Sequence, residues 1–230
     1  MDNLTPGQIG QLVEIDRARE KRGLRGIYAE VAALINRLTD GAAALTSSDP
    51  RISQAKRLWD KGFGENVESF DVYLAGIPEI PEKLLANDER FPLLVLADAR
   101  LGITKSCELA GLKYGGNDQT FEDFDPKKAR NSQVYWMRCQ GGRRNRGKSV
   151  KACRDSFAKG EIGLTAMEGV ALYVQNPEVI KGDFLDLPSS VRADGRDRSA
   201  YLSHWDDGPE LCWLWYDDGH PYYGSASRRE

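Results

Sequence analysis

Residues 126–154 read PKKARNSQVYWMRCQGGRRNRGKSVKACR, and the fold class turns on how this stretch is read. From Ser132 to Gln140 it carries Val134, Tyr135, Trp136 and Met137 in succession, which predicts a strand. The loop GGRRNRG follows, and a helix is expected from Ser149 to about Phe157. Strand, Gly-rich loop and helix in that order are the setting of a phosphate-binding loop, and Gly142 to Ser149 satisfies the pattern GxxxxGK[ST]. In such a loop the backbone amides wrap the phosphates, Lys148 neutralises them and Ser149 holds a magnesium ion. The surrounding domain would then consist of repeated βαβ units on a parallel sheet.

Three features oppose that reading. The variable positions are Arg143, Arg144, Asn145 and Arg146, where a loop closing on phosphate needs small residues. The strand-like run that ends in an acid, LLVLAD at Asp98, precedes the loop, whereas a metal-holding Asp is expected downstream. Only 81 residues follow Ser149, and they read as two helices and an antiparallel hairpin. The first helix is the one after Ser149. The second starts at the capping box Thr165-Ala166-Met167-Glu168 and carries Leu164, Met167, Val170, Ala171 and Val174 along one side to Asn176-Pro177. The hairpin runs from Tyr201–Trp205 to Leu211–Tyr216 around Asp206-Asp207-Gly208-Pro209, and Phe184 to Leu187 is a further short strand. Both faces of the second hairpin strand are apolar, so it should be central or covered. The expected fold is α+β, a mixed helix and antiparallel-sheet domain over 90–230 behind a helical segment over 1–89.

In the first segment, Thr5-Pro6-Gly7-Gln8 is a helix start with Leu4 and Ile9 as a staple. A second helix carries Leu24, Ile27, Val31, Leu34, Ile35 and Leu38, and Asp49 caps a third with Ile52, Ala55, Leu58 and Trp59 inward. Phe70–Ile77 and Glu82–Leu85 read as helical turns. The run Phe91 to Asp98 suits a buried strand or a helix start equally. LGITKSCELAGL resembles the first half of a helix-turn-helix, but the acidic TFEDFD stands where a basic recognition helix belongs. The expected role of the first segment is packing or docking a protein partner.

Composition narrows the function classes. No apolar run reaches the ~20 residues of a membrane span, the first residues do not form a secretory leader, and Cys107, Cys139, Cys153 and Cys212 form no CxxC pair. A soluble cytoplasmic protein with reduced thiols, no membrane contact and no cofactor is expected. The opening stretch carries ten Lys and Arg and no acid, in a chain of formal charge −3, so the other residues sum to −13. A basic island in an acidic protein points to a local polyanion footprint. Arg143, Arg144, Arg146, Lys148, Ser149, Lys151 and Arg154 are the candidate phosphate contacts, and Tyr135 and Trp136 are a candidate stacking surface for single-stranded RNA or DNA. The alternatives are the phosphate-binding loop of a nucleotide hydrolase, or an interaction protein whose island is neutralised within the fold. The neutralising acids would be Asp118, Glu122, Asp123 and Asp125 or the hairpin acids Asp206, Asp207, Asp217 and Asp218.

No catalytic or metal set stands out. Cys139-x13-Cys153 and Cys212-x7-His220 fit no zinc spacing. His204 or His220 with the hairpin acids and Ser225 or Ser227 would make a hydrolytic set, although DDG and GHP are also ordinary turn sequences. Cys107 near a helix start would have a lowered pKa. The segments YWMRCQGGRRNRGKSV, GLTAMEGVALYVQNP, LDLPSSV and YGSASR resemble a family of bacterial hypothetical proteins without assigned function. That resemblance implies a self-contained domain over about 90–230 and transfers no active site.

Overall fold

Asp49 opens the first helix of the structure, a computed structural model that describes residues 49–125 and 133–230. The helix starts expected at Thr5 and Leu24, and Lys127, Lys128 and Arg130 of the island, lie outside the described residues. The Asp49 carboxylate accepts the Arg51 amide at 2.8 Å, and Pro50 occupies the first turn of α1 (Pro50–Asp60). Ala55 and Leu58 are buried as the spacing predicts, whereas Ile52 and Trp59 are only partly so. Short helices α2 (Phe70–Ala75) and α3 (Glu82–Leu85) follow. These three helices and everything after them form one compact unit, Asp49–Glu230.

The ambiguous apolar run resolves as a strand, β1 (Leu93–Asp98), with Val95, Leu96 and Ala97 fully buried. Its outer edge is covered rather than open. The Gln54 side chain donates to the Leu94 carbonyl and accepts the Leu96 amide, both at 2.7 Å, so α1 stands where another strand would pair. Then come α4 (Gly102–Ala110), closed by Gly111 in the left-handed region at φ 76°, and two short strands, β2 (Lys113–Tyr114) and β3 (Phe121–Asp123). The basic stretch gives β4 (Val134–Gln140), a single 3-10 turn at Arg143–Asn145, and α5 (Val150–Ser156) capped by Ser149. After β5 (Glu161–Gly163), the predicted capping box forms at α6 (Ala166–Gln175). A second 3-10 turn, Pro177–Ile180, leads to β6 (Phe184–Arg192), which is longer than the four residues expected. The hairpin is β7 (Gly195–Trp205) and β8 (Gly208–Trp215) with Asp206-Asp207 as its two-residue turn, and β9 (Tyr223–Ser225) and β10 (Ser227–Arg229) end the unit.

The strands form two sheets, so the α+β expectation holds. One has the order β1-β4-β10-β5 with every pair antiparallel; the other has β2-β8-β7-β6-β3, with β9 added in parallel to β6. Helix α6 lies in the core they share. Gly169 admits the Leu187 side chain so closely that a Cβ there would stand 2.5 Å from it. Buried Leu185, Leu187, Ala200, Leu202 and Leu211 form the apolar face of the larger sheet.

One carboxylate fastens α6 to the smaller sheet. Glu168 accepts the Thr165 amide at 3.0 Å, the Tyr135 hydroxyl at 3.0 Å and Arg228 Nε at 2.6 Å. It thereby joins the start of α6 to β4 and β10. Both Glu168 and Arg228 are essentially inaccessible, at 1% and 2%. Removing one partner strands the other charge, so Arg228→Ala is expected to cost about 3–5 kcal/mol in urea unfolding. Lys151→Ala, which breaks only the exposed pair with Asp155, should cost under about 1 kcal/mol in the same measurement.

Candidate functional site

The basic loop leaves β4 at Gln140 and is pinned from beneath. Gln140 accepts the Gly142 amide at 2.7 Å and donates to the Ser225 carbonyl and the Ser227 hydroxyl. Buried Asn145 also donates to the Ser225 carbonyl, at 2.8 Å. Gly142 adopts φ 82° and lies directly on Gly224: a Cβ on either residue would stand 2.3–2.4 Å from the other's carbonyl oxygen. The loop is thus bolted to β9 by backbone against backbone, which only glycine permits.

This packing uses the groups a phosphate would need. The amides of Gly142, Asn145, Arg146, Gly147 and Lys148 donate to Gln140, Gly142, Arg143, Tyr223 and Asn145. The Ser149 hydroxyl accepts the Ala152 amide as the cap of α5. Strand β4 has only antiparallel neighbours, and Asp98 is engaged by Arg100 (2.6 and 2.8 Å) and by the Tyr73 hydroxyl (2.9 Å). The match to GxxxxGK[ST] therefore reflects a packing glycine, a turn and a helix cap, not a cradle of inward amides. Ser149 is a capping residue.

The arginines are a different matter. Arg143 and Arg146 both meet Asp183, and Arg90 and Arg144 both meet Glu161, Arg90 at 2.9 Å. The acids that receive the loop are therefore Asp183 and Glu161, not the 118–125 or hairpin acids expected from sequence. Two guanidiniums share each carboxylate, so pairing leaves a surplus of positive charge. Lys148 adds to it, being exposed and without an ion-pair partner among the described residues. The Arg143 side chain remains 77% exposed.

The other candidates separate from this group. Lys151 is exposed and pairs with Asp155 one turn along α5. Arg154 turns inward: its Nε donates to the Pro188 carbonyl at 2.7 Å and its guanidinium lies 4.1 Å from the centre of the Phe124 ring. Burial, and next the charge of Arg196, lower its pKa to about 10. Trp136 is 3% exposed and donates to the Pro78 carbonyl at 2.8 Å, so it offers no face to a base. The exposed aromatics lie elsewhere. Phe184, which follows Asp183, stacks on Tyr223 at 4.5 Å and meets Trp205 at 5.0 Å. His220 leans on Tyr222 and Tyr223 at 5.4 and 5.3 Å. Trp205 and Tyr222 are 46% and 58% exposed. The Tyr223 carbonyl accepts the Gly147 amide, so this aromatic cluster adjoins the arginine loop directly.

The remaining sets dissolve. Ser225 and Ser227 are fully buried, and Ser227 donates to Glu161 at 2.6 Å, so neither is a nucleophile beside His204 or His220. Cys107 is buried in α4, and desolvation with the nearby Asp118 charge pushes its pKa up to about 12, the reverse of the expected lowering. Among the described residues no group of three or more His, Cys, Asp or Glu is placed to hold a metal ion, and no helix is long and apolar enough to cross a membrane. Sequence reasoning missed Arg90, Glu161, Asp183, Trp205 and Tyr222. Only Trp205 carried a signal, as a large aromatic beside a hairpin turn. No family model, curated protein or solved structure matches the chain. Function rests on geometry alone.

Two measurements probe this framework. Gly142→Ala adds a Cβ in a left-handed conformation against the Gly224 carbonyl, and is expected to cost about 2–4 kcal/mol in urea unfolding. Under the same region lies Asp186, fully buried on β6 beside Tyr201 and Ser225, with neither carboxylate oxygen hydrogen-bonded among the described residues. Desolvation raises its pKa to about 8. The fold thus holds the proton more tightly than the unfolded chain, whose carboxyl titrates near ~4. Stability from the protonated form is full below about pH 4 and is lost as pH rises towards about 8. Asp186→Asn should therefore gain on wild type between about pH 5 and pH 8, by on the order of a few kcal/mol in paired urea titrations. An unchanged difference across that window would show that Asp186 is ionised in the fold.

Proposed function

We propose that the protein binds single-stranded RNA or DNA through the 143–148 loop and the aromatic cluster beside it. The observation that carries this reading is the junction at Asp183-Phe184. Asp183 holds Arg143 and Arg146, while Phe184 packs with Trp205 and Tyr223. Guanidiniums held at a shared carboxylate keep free N–H donors for phosphate oxygens. Half-exposed Trp205 and Tyr222 offer rings on which unpaired bases stack, with little sequence preference. Charge and stacking side by side suit a single strand, whose bases are open; a duplex would engage the cations alone. The footprint is local, which accords with a chain whose net charge is −3. Arg154 and Trp136 are not part of it, and Lys151 borders it.

Fluorescence anisotropy with a labelled single-stranded oligonucleotide, titrated at several salt concentrations, tests the reading. Affinity should fall with salt. The double variant Arg143→Ala/Arg146→Ala should flatten the slope of log K against log salt by about 1–1.5, roughly 0.7 for each phosphate no longer neutralised. Trp205→Ala should weaken binding roughly tenfold with the slope unchanged, as removal of one stacking platform requires. Single strands that bind no better than duplex, or Trp205→Ala without effect, would remove the stacking surface from the proposal. Absence of salt-dependent binding altogether would overturn it.

A further inference from the structure

Behind the arginine loop a groove of about 460 Å3 opens between the start of β1, the end of β4 and the 3-10 turn at Pro177–Ile180. Its volume falls within the ~300–1,000 Å3 usual for small-ligand sites. Its lining brings Arg90, Arg143 and Arg144 together with Leu93, Val179 and Asn176. Arg90 and Arg144 are held in place. Each takes one oxygen of the Glu161 carboxylate, their guanidiniums lie 5.4 and 5.6 Å from the centre of the Phe91 ring, and Arg144 Nη1 donates to the Arg90 carbonyl at 3.3 Å. A guanidinium has five N–H donors. These bonds use one on Arg90 and two on Arg144, and the terminal nitrogens of Arg143 make no hydrogen bond among the described residues.

We infer that this groove holds a nucleotide bearing a terminal phosphate monoester, with the phosphate on the three arginines and the base against Leu93 and Val179. The inference deepens the single-strand reading and rests on it for the path of the rest of the strand. A terminal monoester carries close to two negative charges at neutral pH, where an internal diester carries one. A monoester also offers three terminal oxygens to the unused N–H donors of Arg90, Arg143 and Arg144, where a diester offers two. Glu89 and Glu178 also line the groove, the latter paired with Lys181 at 3.3 Å. Their oxygens, with Asn176, can accept hydrogen bonds from the amino groups of a base. The third terminal oxygen is what an end offers the arginines and an internal linkage does not.

The test uses the full chain and a small set of probes: one single-stranded octamer with a 5′-phosphate, with a 3′-phosphate or with hydroxyls at both ends, and a nucleoside monophosphate, its nucleoside and inorganic phosphate as competitors. At least one phosphorylated end should bind about tenfold more tightly than the hydroxyl-ended strand, and the monophosphate should compete where the nucleoside does not. Val179→Trp fills the groove and removes no arginine, and Arg90→Ala removes one of the three groove cations; circular dichroism verifies that both remain folded. Both should abolish the end preference, and Val179→Trp should leave the hydroxyl-ended strand bound as before. Equal affinity for all three ends, with salt-dependent binding intact, overturns the groove assignment and keeps the single-strand reading. Binding of the monophosphate without any binding of the hydroxyl-ended strand does the opposite. Competition by inorganic phosphate as strong as by the monophosphate overturns the placement of the base, and failure of every probe to bind overturns both.

Discussion

The Glu168 carboxylate is the contact that fixes helix α6 on the smaller sheet. With one oxygen it completes the capping box of α6, an entirely local motif. With the other it receives Arg228 and Tyr135, which are 60 and 33 residues away in sequence. A helix cap has thereby become a tertiary clamp. A buried ion pair gives little net stability against an apolar replacement, but it tolerates few alternative geometries, because each charge has one partner that can compensate it. That selectivity suits a place where a helix start, a central strand and the last strand meet. The basic loop begins at the end of the same strand, so its position follows from this clamp.

The loop itself shows how one run of residues serves two levels of structure. Its glycines, its asparagine and its serine are occupied with packing and capping, while its arginines project outward. Sharing two carboxylates among four guanidiniums fixes the long side chains without cancelling their charge. The arginine sides of these pairs are exposed, whereas the Glu161 and Asp183 carboxylates are largely buried, at 5% and 12%. In the proposed binding role these pairs would order side chains that otherwise lose conformational entropy on meeting a ligand, with Asp183 and Glu161 as positioning groups.

Local signals were legible in the sequence. The Asp49 cap, the Thr165-Glu168 box, the strand at 134–140 and the hairpin around Asp206-Asp207 all depend on residues within a few positions of one another, and all appear in the structure. What was not legible depends on distant pairing. Strands β9 and β10 have three residues each, too short for any alternation to register. The antiparallel neighbours of β4, which remove the phosphate-loop geometry, come from residues 93–98 and 227–229. Trp136 is a stacking candidate because its strand leads into the basic loop, yet that strand is buried on both faces from Trp136 to Gln140. Arg90 carries no local mark at all; only the sheet brings it beside Arg144.

Strand β10 lies between β4 and β5, although it follows both in the chain. Until residues 227–229 arrive, β4 and β5 have no common neighbour, and Gln140 must find Ser227 across 87 residues. Closing so long a loop is entropically slow, and the compensating bonds form only at the end. The smaller sheet should therefore be the last part of the molecule to zip up during folding. Until then the outer edge of β4 would stand as an unpaired template for strands of other chains.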